Sequence, residues 1–456
     1  MKLSLKICVG LMSLSTACLW SQVDNAPTQP ATANALDNND NQMLTPPPVS
    51  GQSYPTLPNF EELSNYVRGG VAFSTAYTDN ALGPVNGHPE SDVSYSVWPT
   101  LTLDETTPRV HWLLSYAPGF TFYQRTSSLN EADQNASINF QYRLSPHVTF
   151  SAGDRFQKSS NVFNQPDLAS AGAVFGGTQG ANFSVFPPIA DRLSNFGNFT
   201  ITYQFAANAT VGASGTFMNL DYPNPAQVPG LFNSGSQGGS VFYSFRVSQM
   251  HYIGVTYQYQ RLLSFPKQAQ NETQTQSVLF YYTLYPTTRF SISFFGGPQY
   301  VDIGPQFFDI ASTPTQPSRS WNPEAGASLS WQGRLSSLAI SYAHMTSSGD
   351  GLIGAVRMDG ANALIGQQLS RTLSASVSGM YTQNDVLAAT PSFNGNGHTI
   401  SGTASLQQQF GQHLRVQLGY ARLHQDYSSV AVLAGTPNTN REFVSVSYQF
   451  SRPLGR

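Results

Sequence analysis

Along most of this chain, apolar and polar residues alternate with a period of two, in stretches of about ten residues. Over 136–144, Ala136, Ile138, Phe140, Tyr142 and Leu144 fall on one face, and Ser137, Asn139, Gln141 and Arg143 on the other. Near the far end, Ile400, Ala404, Leu406 and Phe410 alternate with Thr399, Ser401, Thr403, Ser405, Gln407 and Gln409. Successive side chains of a strand point to opposite faces, so this period predicts β-strands. Apolar positions on one side and polar ones on the other, with almost no helical period between them, match a barrel that is greasy outside and wet inside. A bilayer forces such a sheet to close, because every backbone N–H and C=O must find its partner within the protein.

The pattern predicts an all-β fold: a transmembrane, antiparallel, up-and-down β-barrel of about 18 strands, within a range of roughly 16–18. The barrel spans 71–450, from a first strand at 71–78 to a last at 441–450. Connections alternate between tight turns, such as Ser145-Pro146 and Ala207-Asn208, and long polar loops. That alternation predicts short periplasmic turns, long outer loops and both chain ends on the periplasmic side. Residues 22–70 read as a linker rich in Pro, Asn, Thr and Gln, disordered for most of its length. A short helix is expected at 60–68, capped by Asn59 and ended by Gly69-Gly70. Residues 451–456 form a tail.

Composition sharpens this picture. Charged residues make up 10% of the 456 residues, against about 25% in a typical soluble domain. Hydrophobic residues reach only 40%, which excludes a helical membrane protein. The missing charge is replaced by Ser, Thr, Asn, Gln and Gly, with 29 Phe and 22 Tyr. A net charge of −3 argues against nucleic acid as a partner. Met1 to Ser21 reads as an export signal, with Lys2 and Lys6 before the apolar run Ile7–Leu14. Both cysteines, Cys8 and Cys18, lie in that segment, and cleavage after Ser21 leaves no disulfide framework.

The last strand carries a family resemblance. Val444, Val446, Tyr448 and Phe450 alternate towards an aromatic end. This resembles the C-terminal signal of Gram-negative outer-membrane barrels, which the barrel-assembly machinery reads, although Ser451–Arg456 follow the aromatic here. The resemblance implies an outer-membrane location, contact with outer-membrane lipid, and a porin-like role. Many such proteins are trimers, so a homotrimer is one expectation, but no polar gap on the lipid-facing positions marks an interface. Tyr142, Phe205, Phe245, Trp331, Phe410 and Phe450 all fall on apolar positions just before short turns or the chain end. They are expected to form an interfacial aromatic girdle.

The expected activity is passive diffusion of small polar solutes. Arg143, Arg155, Arg246, Arg289 and Arg415 fall on the inward positions and are expected to line the pore. Acidic residues, among them Asp79, Asp92, Asp191, Asp302, Asp350 and Asp385, sit in or beside the long loops and suggest an acidic outer rim. Loop 158–192 is the longest, and it is unexpectedly apolar. Its Phe163, Phe175, Phe183 and Phe186, with Asp167, would constrict a lumen into which it folded. Two other readings stand beside the channel. One is an adhesin or a component of an export system, with 23–68 as its periplasmic contact. The other, weaker, is a barrel hydrolase, for which His424, Asp426 and Ser428 are the nearest thing to a cluster. No nucleophile elbow or metal-binding spacing occurs, and no cofactor is implied.

Overall fold

The computed structural model describes residues 65–81, 89–161, 163, 185, 186, 189–266, 270–307, 315–387, 395–427, 430, 433 and 438–454. Among these, 18 strands form a single antiparallel sheet. They are β1 (Tyr66–Thr78), β2 (Asp92–Thr106), β3 (Val110–Tyr123), β4 (Glu131–Arg143), β5 (Val148–Asn161), β6 (Ile189–Ala206), β7 (Ala209–Asp221), β8 (Asn233–Arg246) and β9 (His251–Phe265). The second half comprises β10 (Asn271–Thr287), β11 (Phe290–Ile303), β12 (Ser318–Gln332), β13 (Ser336–Ser348), β14 (Ala355–Gln368), β15 (Leu373–Val386), β16 (Gly397–Phe410), β17 (Leu414–Asp426) and β18 (Thr439–Pro453). Each strand pairs with its sequence neighbours, and β18 pairs with β1, so the ring is closed.

Closure is built into the seam residues. In the β1–β18 register Gly69 lies opposite Phe450, and the Phe450 ring lies flat over that glycine. A Cβ at position 69 would sit 2.3 Å from the ring, so only glycine admits this packing. The seam also extends beyond the sequence expectation. Tyr66–Arg68, expected as the end of a helix at 60–68, belong to β1 instead. Ser451–Pro453, expected as tail, continue β18. Each segment supplies the other's backbone partners, and this pairing outweighs the local helix-cap signal. The rest of the helix, the leader and residues 22–64 lie outside the described residues.

The two faces differ as their period-two pattern dictates. Phe73, Tyr95, Leu114, Phe199, Val241, Phe280, Ile340, Val377 and Leu418 point outward and are exposed. A water-soluble protein would bury such a belt, so its natural surroundings are acyl chains. The expected girdle residues all lie on this outward face, near the ends that carry the short turns. Phe205, Phe410, Phe450 and Trp331 are exposed there, and Tyr142 and Phe245 are half-buried. Phe140, Tyr203, Tyr243 and Tyr448 extend the girdle, with Phe205 6.3 Å from Tyr243 and 6.4 Å from Tyr203 between ring centres.

The barrel is not round. Eighteen strands spaced about 4.8 Å apart would enclose a circle roughly 30 Å across. Instead, Cα atoms of β13 come within 8 Å of those of β8 and β9 on the facing wall. The pinch divides the ring into a small arc, β9 to β13, and a large arc, β14 through β18 and β1 to β8. The small arc is packed: Leu279, Tyr281, Phe295, Ala343, Met345 and Met358 form one buried cluster. The expectation of a uniformly wet lumen therefore fails on this side, because these inward positions carry large apolar side chains. The membrane reading has a direct test. Leu418→Arg, on the outward face, should cost about 2–4 kcal/mol of folding stability in lipid vesicles, whereas inward Thr403→Arg should cost well under half as much. Equal costs at the two sites would contradict the assignment of faces.

Candidate functional site

The interior of the large arc and the loops that cover it form the candidate site. Along its walls the inward positions include Ser74, Ser96, Thr121, Ser376, Thr403, Ser405, Gln417 and Ser445. Some pair across strands, as Ser96 with Thr121 at 3.0 Å and Ser376 with Ser405 at 2.9 Å. Hydroxyls and amides of this kind can trade hydrogen bonds with water or with a polar solute at little cost.

Inward charge lies near both rims, with Asp133, Arg192 and Arg441 towards the long loops and several arginines near the short-turn rim. Arg143, Arg246 and Arg415 lie on inward positions close to that rim, and Arg155 lies on an inward position farther along β5. Arg289 departs from the expectation. It lies exposed in the two-residue turn between β10 and β11, where its carbonyl accepts the Gln332 N–H at 2.8 Å. The β10 strand ends at Thr287, which leaves Arg289 outside the wall. An inward group missed by the sequence reading takes its place. Asp104 lies 3.7 Å from the Arg68 guanidinium and 3.3 Å from the His111 imidazole. The helix expected at 60–68 concealed Arg68 as an interior residue.

Apolar side chains pack together at the long-loop rim. Tyr222, Val228 and Leu231 of the β7–β8 connection meet Leu352 and Ile353 of the β13–β14 tip. Val185 from the β5–β6 connection, Ala190 at the start of β6, and Tyr427, Val430 and Leu433, beyond β17, belong to the same apolar cluster. Leu352 and Ile353 are fully buried, and each such side chain contributes about 1.5–3 kcal/mol relative to exposure. The tip reaches the facing wall through two hydrogen bonds, Gly354 N–H to Ser264 Oγ at 3.0 Å and Phe232 N–H to the Gly351 carbonyl at 2.8 Å. Its tight path needs left-handed backbone at Asp350 (φ 49°), Gly351 (φ 95°) and Gly354 (φ 72°). Gly351 and Gly354 take that conformation without strain.

An ion pair fastens this plug. Arg192 Nη2 donates to Asp350 Oδ1 at 2.9 Å, and the Val185 N–H donates to Asp350 Oδ2 at 2.7 Å. Both charged side chains are almost wholly buried, at 2% and 0% exposure. Beside them, burial holds the Tyr222 hydroxyl far above its ordinary pKa. The Arg192 charge opposes that shift and the Asp350 charge adds to it.

Described residues near the two ends of the β5–β6 connection reach across the lumen. Phe186 packs against Met380 and Leu423, and Gln425 grips its backbone twice, accepting its N–H at 2.9 Å and donating to its carbonyl at 2.7 Å. Phe163 packs against Ala76, Ala421 and Phe443, with the Arg441 guanidinium 5.6 Å from its ring centre. These contacts lie on β15, β17, β18 and β1, whereas the loop springs from β5 and β6 on the other side of the ring. Of the expected loop residues, Phe163 and Phe186 are thus brought together inside the barrel, while Asp167, Phe175 and Phe183 lie outside the described residues. The narrowing differs from a single inward loop, because the β13–β14 tip supplies its centre. Its sequence signal was Gly349-Asp350-Gly351-Leu352-Ile353-Gly354, an apolar pair embedded in glycines.

The expected acidic rim is largely neutralised. On the outward face near the long loops, Lys158 pairs with Asp191 (3.4 Å), Arg261 with Glu272 (2.6 Å), Arg319 with Asp302 (3.1 Å) and Arg357 with Asp385 (3.4 Å). Asp79 is held by Asn440. Asp92 is buried and caps the start of the β3–β4 connection through Arg125 and Thr126. His424 stands 5.4 Å from His398 on the outward face, and Ser428 lies outside the described residues. Among the described residues no group of three or more acidic, histidine or cysteine side chains comes together.

A closed ring with a lipid-facing belt, short turns at one rim and long loops at the other defines a membrane-spanning barrel of the outer-membrane type. No protein-family model matches the chain, and no curated protein matches it. Among solved structures it is similar to OccAB4 of Acinetobacter baumannii, at 10% identity over 87% of this chain and 100% of that one, with a TM-score of 0.40. The outer membrane protein OpdK of Pseudomonas aeruginosa is similar at 10% identity, over 86% of this chain and 100% of that one, with a TM-score of 0.40. The FrpB iron transporter of Neisseria meningitidis is similar at 10% identity, over 85% of this chain and 83% of that one, with a TM-score of 0.38. At these identities and scores the likenesses add nothing to what the barrel's own geometry states.

The ion pair can be tested by removing its members. Asp350→Ala should strand the Arg192 charge and loosen the plug by roughly 3–5 kcal/mol, read as faster hydrogen exchange at Leu352 and Ile353. The double variant Arg192→Leu with Asp350→Leu should recover part of that loss. Unchanged exchange in Asp350→Ala would show that the pair does not hold the plug.

Proposed function

We propose that this chain is a channel of a Gram-negative outer membrane, through which small polar solutes diffuse down their gradient along the large arc of the lumen. The observation that carries the reading is an interior wall of neutral polar side chains, sealed from lipid by a closed sheet. No energy source is required, since the gradient drives passage and the wall only sets preference. The long-loop rim faces the outside and the short-turn rim the periplasm. The outward edge of β18, with Val444, Val446, Tyr448 and Phe450, is the segment that the barrel-assembly machinery would read.

In this reading the plug is the gate. The β13–β14 tip, with Phe163 and Phe186 packed on the opposite wall, narrows the large arc in the resting state. Solute passes when the tip leaves its apolar seat. Arg68, Arg143, Arg246 and Arg415 then bias the periplasmic mouth towards neutral and anionic solutes, an effect that salt screens over about 8 Å at physiological ionic strength.

Conductance across a planar bilayer decides the matter. The wild type should show a low open probability. Replacing 349–354 by a two-residue Asn-Gly turn should raise the mean current at least several-fold, with a reversal potential under a salt gradient that favours anions modestly. A plug-deleted barrel that inserts into the bilayer and carries no current would reject the channel.

A further inference from the structure

Glu324 is a carboxylic acid deep in the small arc that the channel reading leaves unused. It points inward from β12, is 1% exposed, and sits about midway along its strand. Its neighbours are neutral. Gln258 Nε2 donates to both carboxylate oxygens, at 3.0 and 3.3 Å, and Gln299 Nε2 donates to Oε2 at 3.0 Å. Ser277 completes the group and also receives the Gln258 amide at 3.1 Å. Among the described residues no lysine, arginine or histidine pairs with this carboxylate.

A second observation points the same way. The amides that turn their N–H groups to Glu324 leave their own oxygens, Gln258 Oε1 and Gln299 Oε1, buried and without a partner. Gln260 Oε1 and Thr256 Oγ1, from the same inward face of β9, are likewise buried and unpartnered. All four residues are at least 97% buried, since none is more than 3% exposed. Flipping either amide would set a carbonyl against the carboxylate, so the arrangement has no internal remedy. A pocket lined by Ser214, Thr216, Ser240, Gln258 and Gln260 abuts the cluster from the side of the large arc. The small arc thus holds one buried carboxyl group whose hydrogen-bond partners are all neutral, and a surplus of oxygen acceptors.

We propose that Glu324, with Gln258, Gln299 and Ser277, forms a binding site for a single monovalent alkali cation. One carboxylate balances one positive charge, and the neutral oxygens complete its shell. Divalent ions fit this set poorly, because they are usually held by several carboxylates and waters. The ion ties β9, β11 and β12 together and stiffens the wall on which the β13–β14 tip rests. The inference does not depend on solute passage, because it concerns the wall and not the conduit.

The test is the thermal unfolding midpoint of the full chain in detergent, at constant ionic strength, in NaCl, KCl or choline chloride. Sodium or potassium should raise the midpoint saturably by about 2 °C or more over choline. In E324Q, which keeps the shape and loses the charge, that difference should vanish. Equal midpoints in all three salts would overturn the site, as would a response to calcium or magnesium alone, or an undiminished alkali response in E324Q. An infrared band of a protonated carboxylic acid in saturating KCl, lost in E324Q, would also overturn it, because a proton would then hold the place of the ion. Where E324Q does not assemble, the wild-type salt comparison and the infrared band decide between the two.

Discussion

A strand within hydrocarbon has no water to satisfy its backbone, and this one requirement organises the molecule. It explains why β1 begins at Tyr66 and β18 runs to Pro453: each lends the other the partners that an open edge would lack. It explains the Gly69–Phe450 contact, where a missing side chain lets a ring lie across the seam. It also fixes what the interior must be. Once the sheet is closed, the polar half of every strand faces a space sealed from lipid, and that space must hold water, solute or other parts of the chain.

Here it holds all the kinds of filling that side chains can supply. The small arc is filled by Leu279, Tyr281, Phe295 and Met345, the mouth of the large arc by loop side chains, and the rest by hydroxyls and amides. Two of the buried charge systems follow opposite logic. Arg192 and Asp350 neutralise each other, and the Val185 N–H takes a further lone pair, so their burial is tolerated wherever the plug is seated. Glu324 has only neutral hydrogen-bond donors as partners, so nothing within the described residues neutralises a charge there.

How much of this was legible follows from the physics. The period-two pattern reports which face a residue takes, so the strands, the outward face and the closure could be read from it directly. Outward Phe410 and Trp331 lie where alternation put them, because nothing competes with lipid for them. Pattern does not report the cross-section. Met345 and Phe295 read as ordinary inward positions, and only tertiary contact shows that they fill an arc. Arg68 was hidden by a local helix-cap signal that strand pairing overrides. Loop 158–192 was suspected because apolar residues in water need shelter, and Phe163 and Phe186 do find it inside. The β13–β14 tip was missed because two apolar residues among three glycines carry too little hydrophobicity to stand out in a single sequence.

The pinch gives the packed mouth its mechanical logic. A tip of six residues cannot span a round barrel of this strand number, since even a fully extended chain reaches only about 3.5 Å per residue. With β13 drawn to within 8 Å of β8 and β9, the same short tip reaches Ser264 and the β7–β8 connection. Packing in the small arc and narrowing of the large one are therefore a single arrangement. Whatever loosens the cluster around Met345 also withdraws the support on which Leu352 and Ile353 are seated, and the buried Arg192–Asp350 pair makes partial withdrawal costly.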